Sequence, residues 1–194
     1  NCPSHCVCGA VFTIKHVLSC ATGGYPSIRH NEIRDITASM LTEVCSIVSV
    51  EPHLDQVTDE SFRLRTAIRG DEARLDIAAN GVWGGRFEGA FFDVRIFNPS
   101  AQSKNSGTIT QVYRKHELEK KRHYEQRVRE VEHSSFTPLV FSTSGGMGRL
   151  ATCFYKRLAR MISEKRDTAQ YSNVLWLIRC KLNFAVLRSS IMCV

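Results

Sequence analysis

Long apolar runs are scarce in this chain. Its longest uncharged stretches fall far short of the roughly 20 residues that a membrane helix needs, so nothing in the sequence spans a bilayer. The opening NCPSHCVCG has neither the basic start nor the apolar segment of a secretory signal. It also lacks Met, and the chain stops in SIMCV, so a segment of a longer protein is expected. Acidic residues are scarce in one region only. Residues 149–194 carry nine Lys/Arg against two Asp/Glu, whereas residues 1–148 hold seventeen of each, so the net charge of +7 is a property of the last quarter. That excess points to a polyanionic partner, most simply nucleic acid. There is no internal repeat. Ser144-Gly145-Gly146-Met147-Gly148 lacks the Gly-Lys-Ser/Thr ending of a nucleotide-binding loop, leaving a strand-to-helix turn or a plain phosphate cradle.

What is present is ordinary globular material. The 194 residues, 43% hydrophobic and 23% charged, suffice for one α/β domain and a small appendage. Cysteine is plentiful, eight in all, but unevenly placed. Cys2, Cys6, Cys8 and Cys20 crowd the start, and the other four stand singly in apolar contexts where Cys acts as a small hydrophobe. This is not a disulfide framework, and a reducing, intracellular setting is expected.

The periodicity predicts the order α-β-β-β-α-β-α-α. Ile33, Ile36, Met40, Leu41 and Val44 recur at helical spacing, and SIVSVEP reads as a strand stopped by Pro52. Residues 53–72 are polar and irregular. Strands follow at about 73–79 and 87–97, joined by NGVWGG, and then comes a strongly charged helix, QVYRKHELEKKRHYEQRVREVEH. FTPLVFSTS is a buried strand, and two amphipathic helices close the chain. The expected class is a small mixed sheet flanked by helices. The expected divisions are a Cys/His knot over 1–24, a main domain over 25–170, and a packed C-terminal helix over 171–194.

Two groups carry chemistry. Cys6 and Cys8, followed by His16 and Cys20 four residues apart, supply three sulfurs and an imidazole, a tetrahedral zinc set. Cys2 or His5 remains an alternative fourth donor. The second group lies in the strands. Asp76 in RLDI and Asp93 in FFDVRI are separated by a strand, a turn and a strand, so antiparallel pairing brings both acids to one end of the sheet. A buried carboxylate needs a partner. Arg95 shares a face with Asp93, and two carboxylates beside a cation suit Mg²⁺ and phosphodiester hydrolysis. An internal ion pair with Arg74 or Arg95 is the alternative. His116 and His123, on the charged helix, are expected to be solvated or to touch phosphate. Trp83 and Phe87, beside the turn, are expected to pack, with base stacking as the other option.

The acid–spacer–acid-x-cation pattern resembles the PD-(D/E)XK motif of restriction-endonuclease-like nucleases. The order HVLSC, IRHNEI, EARLDI, FFDVRI, HELEKKRHY resembles, over Cys6 to about Met161, the C-terminal region of site-specific non-LTR retrotransposon proteins. In that family one polypeptide carries a reverse transcriptase, a zinc knuckle and a restriction-like endonuclease. The resemblance implies a restriction-endonuclease-like core with an N-terminal zinc knuckle and a nuclear location. It also implies a DNA endonuclease using Mg²⁺ or Mn²⁺, with target DNA, and in some settings element RNA, as partners. It puts Cys6, Cys8, His16 and Cys20 at the Zn²⁺ positions, and Asp76 and Asp93 at the catalytic metal positions. Lys120 corresponds to a lysine moved onto the following helix, and Tyr124 to a nearby tyrosine. Glu32 falls where related nucleases place a helix-borne metal ligand. Arg29-His30-Asn31 matches an Arg-His-Asn motif, giving Arg29 and His30 as nucleic-acid contacts. Arg157, Arg160, Lys165 and Arg166 are the expected backbone contacts in the basic quarter.

There are two departures. Leu75 stands where the family usually has Pro, and Arg95 where many nucleases have Lys. Arg stays protonated, so it can stabilise a phosphate but not act as a base. If Lys120 does not supply the amine, the chain is a catalytically degenerate nucleic-acid-binding module.

Overall fold

A computed structural model describes residues 4–58, 62–84, 88–100, 107–167 and 169–191. A short helix, α1 (Ile14–Val17), lies in the Cys/His segment. Then come α2 (Tyr25–Thr42), β1 (Val48–Val50), β2 (Ile77–Asn80), β3 (Gly89–Phe97), α3 (Ile109–Glu130), β4 (Ser135–Ser142), α4 (Arg149–Arg166) and α5 (Tyr171–Ile191). The order is the one the periodicity predicts, with α1 added. None of the described helices is long and apolar enough to cross a membrane.

The four strands form one mixed sheet in the order β1-β2-β3-β4. β1/β2 and β2/β3 are antiparallel, whereas β4 runs parallel to β3. A parallel neighbour requires a crossover, and α3 supplies it. Its start is fixed by a capping box, in which the Thr108 hydroxyl accepts the Gln111 N–H and the Gln111 side chain accepts the Thr108 N–H. β4 is an edge strand, which is where Pro138 is tolerated.

Strand alternation divides the core in two. Ile77, Ala79, Phe92, Val94, Leu139 and Phe141 pack beneath α2, α4 and α5. Phe91 and Phe136 lie on the other side with Val128 and Tyr124 of α3, and Phe97 and Val140 with Val112. On α4 the buried stripe is Ala151, Phe154, Tyr155, Leu158, Ala159 and Ile162, with Leu150 and Met161 at its margins. α5 buries Val174, Ile178, Leu182, Ala185 and Val186, but Trp176, Phe184 and Leu187 are exposed, so it is apolar on more than one side.

The expected strand over 73–79 is only half realised. Leu54 N–H donates to Ala73 O and Leu75 N–H to Pro52 O, so residues 73–75 pair with the segment after β1 and join the sheet only from Ile77. The described residues of the 53–72 segment, 53–58 and 62–72, have little regular structure and are held by Arg127, a fully buried guanidinium on α3. It donates to Asp55 O (2.7 Å) and Gly70 O (2.8 Å). Replacing Arg127 by Leu strands those carbonyls, at a cost of about 3 kcal/mol or more. Urea melts should show that loss, and amide exchange should speed up within 53–72 before the sheet opens.

Candidate functional site

The Cys/His segment is built around a tight turn. Cys6 N–H donates to Ala10 O and Gly9 N–H to Cys6 O, with Gly9 in the left-handed region at φ 87°. The turn carries Cys6 and Cys8. Thr13 caps α1, its hydroxyl accepting the His16 N–H, and this presents His16, with Cys20 one turn on. Cys6 Sγ lies 3.8 Å from Cys20 Sγ and Cys8 Sγ lies 3.1 Å from His16 Nε2. All four donor atoms are within 4.8 Å of one another. A zinc tetrahedron with Zn–S of about 2.3 Å has S···S edges of about 3.8 Å, so the cluster can hold a metal ion such as zinc. The Thr22 backbone N–H and hydroxyl hold the Cys20 thiol below its ordinary range, which favours the thiolate a metal requires. His5 is outside the group, its Nδ1 lying against the Ser4 hydroxyl, and Cys2 falls outside the described residues. The segment is tied to the sheet by Asn98, whose amide donates to Lys15 O (3.0 Å) and Ser19 Oγ (2.9 Å).

The acids occupy the end of β2. Ile77 is the register partner of Phe92, yet Asp76 N–H also donates to Phe92 O (3.2 Å), so two successive residues stand across from one. That is the arrangement of a β-bulge, which re-aims a side chain and ends pairing. β3 continues, and its Val94 N–H is taken by the Asp76 carboxylate (2.5 Å) in place of a strand carbonyl. The same oxygen lies 3.1 Å from His30 Nε2, which also reaches Val94 O at 3.1 Å. Both partners are acceptors, so Nε2 carries the proton. Burial alone would lower the His30 pKa, but the Asp76 hydrogen bond and charge outweigh it, and the net shift is upward.

Asp93 is buried on the α3 side, with the Lys120 ammonium 2.7 Å from Oδ2. The approach is off the hydrogen-bonding direction, so Oδ2 has charge compensation but no aligned donor. Burial pushes the Asp93 carboxyl up to about 6; Lys120 opposes this and the Asp76 charge adds to it. Lys120 also lies over the Tyr124 ring, 5.5 Å from its centroid. Burial, then the charges of Asp93 and Asp76, raise the Tyr124 phenol to about 12, so it stays a donor. The two acids therefore sit between an imidazole N–H from α2 and an ammonium from α3. Neither expected ion-pair partner is used: Arg74 lies 4.0 Å from Glu51, and Arg95 lies 3.9 Å from Glu119.

Several expected site residues are placed elsewhere. Glu32 is not gathered with the acids but pairs with Arg188 of α5 at 3.3 Å. His30 and Arg34, one turn apart, face the end of β2, and a residue two positions from His30 points away from it. Arg29 is corrected from a nucleic-acid contact to a buried tie, donating to Leu18 O (3.2 Å) and Ser189 Oγ (3.3 Å). His116 is buried rather than solvated. It packs on Phe97, its centroid 4.7 Å away, and burial lowers its pKa. His123 is half-buried, its Nδ1–H donating to Thr66 O at 2.8 Å. Arg157 donates to Val82 O (3.1 Å) and Arg166 pairs with Glu43 (2.5 Å), whereas Arg160 and Lys165 are exposed. The glycine-rich turn is a turn: Glu117 already accepts the Leu150 N–H at the start of α4. Trp83 packs obliquely near Phe154, and Phe87 lies outside the described residues. Sequence reasoning missed His30 as the partner of Asp76, although its helical spacing from Arg34 was the available signal.

Two outcomes follow from these sites. Zn²⁺ or Co²⁺ should bind at one ion per chain, with the visible bands of tetrahedral thiolate-bound cobalt, and Cys20→Ser should abolish both. For Asp93, the folded pKa near 6 exceeds an unfolded value near 3.9. Between these the folded state holds more protons, so this carboxyl lowers stability as pH rises from about 4 to about 6, by about 2–3 kcal/mol, and not further above. Urea melts across that window should show the fall in the wild type relative to Asp93→Asn. No protein-family model matches the chain, and none of the curated proteins matches it.

Proposed function

We propose that this chain is a metal-dependent DNA endonuclease of the PD-(D/E)XK type. In this reading it is the zinc-knuckle and endonuclease end of a non-LTR retrotransposon protein, with a restriction-endonuclease-like core. It nicks target DNA, leaving a 3′-hydroxyl from which a reverse transcriptase in the same longer polypeptide starts synthesis. The observation that carries the proposal is the meeting of Asp76, Asp93 and Lys120, from two strands and a helix, at the end of β2. The resemblance along the sequence supplies the reaction.

The residues fit a hard cation. Two carboxylates offer oxygen ligands, and Asp93 Oδ2 is buried without an aligned donor. Mg²⁺ is held by one or two carboxylates with water and phosphate oxygens completing its shell. When bound, Mg²⁺ or Mn²⁺ would lower the pKa of a water and offset charge on the phosphorus oxygens. His30 orients Asp76 by holding Oδ2. Lys120 leaves Asp93 as the strand arrives, and from between the attacked phosphate and its neighbour its charge stabilises the pentavalent state. Tyr124, protonated at neutral pH, orients Lys120, and Arg95 supports without serving as a base. The Cys/His segment, with zinc in place, and the exposed Arg160 and Lys165 add DNA or RNA backbone contacts.

A second reading is supported by the same geometry. His30 and Lys120 already offset both acids, as expected of a degenerate module that binds nucleic acid without cutting. Supercoiled plasmid separates the two. The enzyme reading expects nicking that requires Mg²⁺ or Mn²⁺ and falls by about 100-fold or more in Asp93→Ala and Lys120→Ala. Equal nicking by the variants, or none by the wild type with either metal, selects the degenerate module.

A further inference from the structure

Beside Lys120 lies a cavity of about 450 Å³ lined by Thr66, Arg95, Glu119, Lys120, Arg122, His123 and Tyr124. Three of these, Arg95, Lys120 and Arg122, are cationic side chains and one, Glu119, is an acid. The acid does not cancel them: its contact with Arg95 is long, 3.9 Å, and it also leans on His116 at 3.4 Å. Among the described residues the Arg122 guanidinium has no partner, although the Arg122 carbonyl accepts the Thr66 hydroxyl and so fixes the backbone beneath it. His123 is held in one orientation, because Nδ1 must carry the proton it gives to Thr66 O. The cavity is thus positive in its lining and borders the acid site through Lys120, which also meets Asp93.

We infer that this cavity seats a backbone phosphate of a bound nucleic-acid strand, the one next to the phosphate at Asp76 and Asp93. Charge complementarity carries the inference. An oxyanion here faces two guanidinium groups, Arg95 and Arg122, whose planar forks match phosphate oxygens. Its charge also draws Lys120 away from the Asp93 carboxylate. Binding in the cavity and release of Asp93 are then one event: the strand supplies the anion that Lys120 gives up Asp93 to meet. The seat rests on the nucleic-acid part of the proposed function, and its occupancy requires no cleavage.

Binding of a labelled DNA duplex with Zn²⁺ kept in place and no Mg²⁺ or Mn²⁺ added, followed by fluorescence anisotropy across a salt series, tests this. The reading expects no cutting without those two ions, so the result is independent of the nicking assay. Removing one phosphate contact lowers the salt slope by about one and the affinity by about tenfold at 0.1 M salt. The expected result is that loss for Arg122→Ala, with partial recovery in Arg122→Lys. The exposed Arg179→Ala, on α5, should change neither quantity. Equal effects of Arg122→Ala and Arg179→Ala, or no effect of either, overturn the seat while leaving the nuclease reading standing. A wild type that binds DNA, loses affinity in Arg122→Ala and never nicks retains the seat and loses the nuclease.

Discussion

A buried carboxylate on the central part of the sheet needs a cation, and much of the architecture answers to that need. Asp93 lies on β3, flanked by β2 on one side and β4 on the other, with hardly any access to water. Its compensation has to come from the layer above, and α3 brings Lys120 to 2.7 Å. The crossover that makes β4 parallel to β3 is therefore also the element that neutralises the sheet's one buried aspartate. The same helix, two turns on, buries Arg127 to hold segment 53–72, so a single element sets both the charge and the boundary of the site.

β2 stops where Asp76 begins, and that early stop separates this sheet from a simple three-stranded meander. An ordinary strand would continue across Val94, and its carbonyl would take the Val94 N–H. Here the bulge turns Asp76 so that its carboxylate takes that proton instead. A charged side chain now stands where a neutral carbonyl would be. That carboxylate needs a further donor, which α2 provides in the His30 Nε2–H. The two acids thus have separate histories of compensation, one through the chain end of β2 and one through α3. They are still near enough for the charge of Asp76 to raise the pKa of Asp93.

Elements with strong periodicity were legible in the sequence. The helical stripe through Ile33, Met40 and Leu41 needs only local rules, and the structure follows it. The Cys/His donors were legible because short-range spacing nearly determines their convergence. Illegible were the features set by distant partners. Nothing local in Arg29 says that Ser189, 160 residues away, will bury it, or that Arg188 will claim Glu32. Residues 73–75 have strand-like composition, and only the competing segment after β1 keeps them out of the sheet. His116 sits in a run of charges, and its burial comes with its packing on Phe97 of β3.

Arg95 bears most directly on how the acids could work. A lysine there could exchange a proton; an arginine cannot, and its guanidinium leans away from Asp93 towards Glu119. The amine nearest the acids is instead on α3, so the amine and the fixed charge belong to different elements. That division has a physical consequence. A helix-borne Lys120 can swing between Asp93 and the basic cavity without disturbing the ladder, whereas a strand-borne cation is held by the pleat. The mobile charge is then Lys120 and the fixed one Arg95, with Asp93 and an incoming oxyanion competing for the former.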